Sequence, residues 1–195
     1  MIKQMKVIII GNGLAGVTVA SNLVNMDDTI EIEMFSEDRF SYYSRVRLVD
    51  YIIGDYSIDD MIIYDENWYE TRDITLHLST KVTKVDFKNK KVFAKQENEK
   101  KAKEYTYDKL VIATGSKPII PDILGKEKPG WHQLRTIDDA DGIREHLKQA
   151  ERIVILGSGL LGLELADAFR KGPNSRDTSI LEIEEFPGGM QSVSF

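Results

Sequence analysis

The chain has 195 residues, 42% of them hydrophobic and 30% charged, a composition typical of a soluble globular protein with material for one sizeable domain or two small ones. Its formal net charge of -6 lacks the basic excess of a nucleic-acid binder, and no apolar run approaches the roughly 20 residues of a membrane span; neither partner is expected, and a cytoplasmic location follows. Cysteine is absent, which excludes disulfide scaffolds, thiolate metal sites and cysteine nucleophiles within this sequence. His77, His132 and His146 lie far apart with no ligand spacing, so no metal site is expected.

The pattern opens with a short continuous apolar run, Met5 to Ile10, as in a strand buried on both faces. "GNGLAG" follows, then a helix from about Leu14 to Val24, with apolar residues at three- and four-residue spacing. Thr29 to Phe35 reads as the next strand, completing a unit the size of one βαβ crossover. A loop then enters a short helix near Arg45 to Ile53, with Gly54 as its stop. Ser57 with Asp60 is a capping-box signal for another. "ITLHL", "KVTKVDF" and "KKVFAK" alternate apolar and polar residues and point to small antiparallel strands. Lys95 to Lys103 reads as a solvated hairpin tip.

A buried strand returns at Lys109 to Ala113, and the Gly and Pro residues from Ile119 to Gly130 mark a linker. Thr136 with Asp139 caps a helix running to about Gln149. "RIVILGSGLLGLELADAFRKG" then repeats the opening order of strand, glycine turn and helix, and Thr178 to Ile183 is the strand after it.

Gly11, Gly13 and Gly16 form a GxGxxG pattern in the context that gives it meaning, after a strand and at the start of a helix. The first glycine permits the tight turn, the second lets a phosphate oxygen approach the backbone, and the third lets helix and strand pack closely. The helix N-terminus then offers free N–H groups and partial positive charge to a pyrophosphate. An acid for the ribose hydroxyls is expected about 20 residues on. Glu33 lies within the strand and faces a neighbour, so Glu37 is favoured, with Ser36 as the substitute. Gly157, Gly159 and Gly162 repeat the pattern, and Glu182 stands 20 residues past Gly162. That acid suits a ribose with both hydroxyls and repels a 2′-phosphate, so this turn leans to NAD over NADP.

The sequence resembles the FAD-dependent pyridine nucleotide-disulfide oxidoreductase superfamily, in which an FAD domain carries an inserted NAD(P)H domain. "VIIIGNGLAG", "YYSRVRL", "YDKLVIATGSKPIIP", "LRTIDDA" and "VILGSGLLGLELA" carry the resemblance across nearly the whole chain. The subgroup it looks most like is the non-disulfide branch of rubredoxin-reductase-like and nitrite-reductase-large-subunit-like flavoproteins. The resemblance implies that Gly11, Gly13, Leu14, Ala15 and Gly16 hold the FAD pyrophosphate, that Ser36 or Glu37 takes its ribose, and that Thr114 and Gly115 pack against it. Gly157, Gly159, Leu160, Gly162 and Glu182 are implied to bind NAD(P)H, with NADH favoured. Arg45, beside the flavin, and Glu164, near the nicotinamide, are the implied catalytic residues. Without cysteines, the implied chemistry is hydride transfer to FAD and onward electron transfer to a redox protein or metal-centre domain.

The expected fold is therefore α/β. A doubly wound, Rossmann-like parallel sheet with a small antiparallel meander forms an FAD domain over residues 1–117. A linker covers 118–130, and residues 131–195 begin a second Rossmann-like unit for NAD. Thirteen residues follow Glu182, and "FPGGMQSVSF" does not look like the family's continuation. A truncated product is expected, with an inactive nucleotide-binding fragment as the alternative to an active oxidoreductase.

Overall fold

The computed structural model describes residues 5–171, 176–181 and 193–194. They form two compact units. The first holds the described residues of Met1–Ser44 and Ile62–Lys117; the second holds those of Arg45–Met61 and Pro118–Phe195.

The first unit is built on β1 (Lys6–Ile10), whose apolar run pairs in parallel with β2 (Glu31–Phe35) on one side. Between them runs the helix α1 (Leu14–Met26), two residues longer than its apolar period predicts. The residues Ile74–His77 form β3, which pairs in parallel with β2. This corrects the expectation that "ITLHL" is an antiparallel strand. Alternation reports which faces a strand presents and carries no information on partner direction. Here Ile74 goes into the core beneath helix α4 (Glu66–Glu70). The strand Lys109–Ile112 pairs in parallel with the free side of β1.

Two apolar layers sandwich this sheet, because successive strand side chains point to opposite faces. Val7 and Ile9 of β1, with Ile32, Met34 and Ile74, pack against Val17 and Ala20 of α1 and Tyr69 of α4. Ile8 and Ile10, with Phe35, face Val92, Ala94 and Tyr107. Those partners belong to the antiparallel meander expected from the sequence and to the segment that leads from it into the sheet. It consists of β4 (Thr80–Asp86), β5 (Lys91–Gln96) and β6 (Lys103–Thr106), so the strand Lys109–Ile112 is β7. Sequence reading missed β6, a polar strand, but located the tip between β5 and β6.

Glu33 does face neighbours. Lys6 Nζ donates to its Oε1 at 2.6 Å, and His77 Nε2 lies 3.3 Å from its Oε2. The His77 ring nitrogen, and the Lys6 ammonium after it, hold the Glu33 carboxyl below the usual carboxylate range, against the opposing effect of burial. A depressed carboxyl stabilises the fold above its unfolded pKa, about 4.3, and that stability is lost as pH falls through the folded value. Glu33→Gln is therefore expected to cost the first unit about 1–2 kcal/mol at pH 7. It should also flatten the stability loss below about pH 4.5, as measured by urea unfolding from pH 7 to 3. An unchanged acid limb would show that Glu33 carries no such linkage.

In the second unit β8 (Arg152–Leu156) and β9 (Asp177–Leu181) pair in parallel, with helix α6 (Leu160–Lys171) between them in the chain. The backbone of β10 (Val193–Ser194) pairs antiparallel to β9. Helix α5 (Ile137–Leu147) precedes β8 and starts with the expected capping box: Thr136 Oγ1 accepts from the Asp139 N–H, and the Asp139 carboxylate accepts from the Thr136 N–H. The residues Arg45–Arg47 form a 3₁₀ turn leading into α2 (Leu48–Ile53), which Gly54 ends in the left-handed conformation, φ 96°. Helix α2 meets α5, where the Tyr51 hydroxyl donates to Asp141 Oδ1. Helix α3 (Ile58–Met61) follows the Ser57–Asp60 cap.

Candidate nucleotide-binding sites

Each unit carries one glycine turn at the carboxyl end of its first strand, and the two turns are built alike. Gly11 has φ 112°, a value glycine alone adopts readily. Its N–H donates to the Phe35 carbonyl at 2.8 Å, which ties the turn to the end of β2. A Cβ on Gly16 would lie 2.0 Å from the Gly11 carbonyl oxygen, so the helix approaches the turn too closely for any side chain. A Cβ on Gly13 would meet nothing within 4 Å. Gly13 is also the N-cap of α1, with no side chain filling the capping role and no acid in the first turn. The α1 N-terminus is thus an open, electropositive cradle for an anion.

The second turn repeats the first in its glycine conformations and its tie to the next strand. Gly157 has φ 107°, and its N–H donates to the Leu181 carbonyl at 2.7 Å. A Cβ on Gly162 would lie 2.1 Å from the Gly157 carbonyl oxygen, whereas one on Gly159 would meet nothing within 4 Å. A cavity of about 700 Å³ opens against this turn, lined by Gly157, Gly159, Leu160, Trp131, His132 and Arg152 among others, within the size range of small-molecule sites. His132 and His146, 14 residues apart, meet there with ring nitrogens 2.9 Å apart. Burial, and then the neighbouring His146, push His132 below the usual imidazole range. Among the described residues no group of three or more His, Cys, Asp or Glu is arranged to hold a metal.

The structure gathers most of the expected residues of the first unit at one sheet end. The Ala113 N–H donates to the Ile10 carbonyl at 2.7 Å, and Gly11 lies directly against Ala113 and the Thr114 nitrogen. Thr114 and Gly115, both exposed, therefore leave the sheet beside Gly11. Leu14 and Ala15 are exposed at the mouth of α1. Ser36 is buried at the end of β2, its Oγ accepting from the Asp38 N–H. Glu37 is exposed and pairs with Lys81 of β4 at 3.2 Å. In the second unit Leu160 begins α6 and Glu164 is exposed on it. Arg45 starts the 3₁₀ turn. Glu182 lies outside the described residues.

One connection has no sequence signal. The Tyr69 hydroxyl donates to Asn12 Oδ1 at 2.8 Å and accepts the Tyr42 N–H at 3.3 Å. Asn12 sits between the first two glycines, 57 residues from Tyr69. Burial pushes the Tyr69 phenol up to about 12, so it remains a donor at any physiological pH.

A family model described as pyridine nucleotide-disulphide oxidoreductase matches residues 5–190. The chain belongs to this family. Within it, the chain is 35% identical over 164 residues to an NAD(P)H nitrite reductase of Bacillus subtilis, covering 84% of this chain and 20% of that protein. It is 31% identical over 165 residues to the rubredoxin-NAD(+) reductase of Ectopseudomonas oleovorans, covering 84% and 42%. The crystal structure of NADH:rubredoxin oxidoreductase from Clostridium acetobutylicum superposes with a TM-score of 0.79 at 30% identity, covering 95% of this chain and 46% of that one. The match thus spans about a fifth to two fifths of the length of these curated relatives. The expected α/β class, with a parallel sheet, an antiparallel meander and a second Rossmann-like beginning, agrees with this membership. No described helix is long and apolar enough to cross a membrane.

Proposed function

We propose that this chain carries the two nucleotide cradles of an FAD-dependent NAD(P)H oxidoreductase, which passes electrons from NADH through FAD to a redox protein or metal-centre acceptor. The observation behind this reading is the duplicated turn: two glycine turns, each opening a helix and each with open space at its middle glycine. That geometry fits a diphosphate, which needs backbone N–H donors and no side chain in the way. Gly11, Gly13, Leu14, Ala15 and Gly16 would hold the FAD diphosphate, with Ser36 or Glu37 at the ribose and Thr114 and Gly115 beside the first glycine. Gly157, Gly159, Leu160 and Gly162 would hold that of NADH, with Glu182 at its ribose. Arg45 would offer a guanidinium suited to bidentate contact with phosphate or a flavin carbonyl, and Glu164 a carboxylate near the nicotinamide. Bound FAD would supply the hydride and electron chemistry; the protein binds, orients and excludes water. The relatives named for nitrite and rubredoxin suggest the kind of acceptor.

A second reading, nucleotide binding without turnover, draws on the exposure of Val154 on β8, 58%, and of Leu160, 85%, beside the second cradle. One preparation separates the two. The purified chain, supplied with FAD, is expected to acquire a flavin spectrum that NADH bleaches without air. Flavin binding without bleaching supports the second reading, and a chain that takes up no flavin refutes the first.

A further inference from the structure

The side chain of Asn12 occupies an awkward position. Its Oδ1 is taken by Tyr69, while its Nδ2 is buried with no hydrogen-bond partner in the chain. A buried donor left unmet is costly, so such an amide stays put only where its surroundings dictate its place. Tyr69 is the group able to do so. It is 2% exposed, and its ring is held among Val7, Ile9, Val17 and Ile74. Its hydroxyl is therefore placed by core packing and by the Tyr42 N–H, independently of the glycine turn. Helix α4, which carries Tyr69, is itself fixed at its start, where Asp65 Oδ1 accepts the Trp68 N–H at 2.9 Å.

We propose that Tyr69 is a positioning residue for the first cradle: acting through Asn12, it holds the backbone of Gly11 to Leu14 in the shape that receives the cofactor diphosphate. The proposal rests on the reading of that cradle as the FAD site. In the second turn Ser158 stands at the position Asn12 holds in the first.

The test is calorimetric titration of the full chain with FAD. It compares the wild type with Tyr69→Phe, Asn12→Ala, the double variant and Ile74→Val, which trims the same core without touching the link. Phenylalanine fills the tyrosine's space, so Tyr69→Phe should fold. Each single change is expected to raise the FAD Kd about five- to tenfold. The double variant should bind no more weakly than the weaker single, because both act through one hydrogen bond. NADH affinity should stay constant, and Ile74→Val should bind FAD normally despite a lower melting temperature. Wild-type FAD affinity in Tyr69→Phe, or losses that add in the double variant, would overturn the proposal. A wild-type chain that takes up no FAD defeats the reading of the cradle itself, a separate and recognisable result.

Discussion

Replacing Gly16 by alanine is expected to cost the first unit about 3 kcal/mol, whereas replacing Gly13 should leave its stability within about 1 kcal/mol. The two glycines are three residues apart and face opposite demands. A methyl group on Gly16 would stand 2.0 Å from the Gly11 carbonyl oxygen and 3.1 Å from its carbon, both backbone atoms of a turn fixed to β2 and β7. Relief requires moving α1 away from β1 and loosening Val17 and Ala20, both buried against the sheet. Gly13 has φ -96°, which any residue adopts, and open space around its missing Cβ. A methyl group there harms only what would enter that space. Gly13→Ala should therefore keep its urea midpoint while losing at least about tenfold in FAD affinity, because the methyl would stand where the proposed cofactor's phosphate oxygen would approach. A Gly13→Ala protein that binds FAD like the wild type would remove the anion from this turn.

The second large effect compares one position in the two units. Ile8 and Val154 each stand three residues before the first glycine of their turn. Ile8 is fully buried and faces the meander through Val92 and Ala94; Val154 is 58% exposed. Ile8→Ala is expected to cost about 3 kcal/mol, through lost burial and a cavity the rigid sheet cannot collapse. Val154→Ala should change stability by less than about 0.5 kcal/mol. Urea unfolding measures both, with an unchanged slope as the check that the unfolded state is the same. Equal losses would mean that Val154 is covered as well as Ile8, and would weaken the reading without turnover.

Much of this arrangement is legible in the sequence because it is set by local rules. Glycine turns, the Gly54 stop and the caps at Ser57 and Thr136 are short-range chemistry, and each lies where the sequence puts it. The apolar run of β1 announces burial on both faces, and the two cores on either side of it bear this out. The direction of β3 was not legible, because a four-residue alternating strand reads the same forwards or reversed. Nor was β6, in which Tyr105 alone packs against the core. The Asn12–Tyr69 bond and the His132–His146 pair join residues that folding alone brings together; no periodicity marks them. The candidate ribose readers were legible only as positions. The strand pattern already set Glu33 apart from Glu37, and the sheet supplies the partners: Glu33 is consumed by Lys6 and His77, while Glu37 stands exposed past the strand end beside Lys81.

Both turns are tied to their neighbouring strand by a main-chain hydrogen bond, Gly11 to the Phe35 carbonyl and Gly157 to the Leu181 carbonyl. Each of these bonds joins backbone atoms, so it makes no demand on side-chain chemistry at the strand end. The step just past β2 is bound differently: Ser36 is buried, its N–H donates to the His77 carbonyl at 2.9 Å and its carbonyl accepts the Thr80 N–H at 2.7 Å, so this position is clamped between β3 and β4 and its backbone is not a replaceable tip.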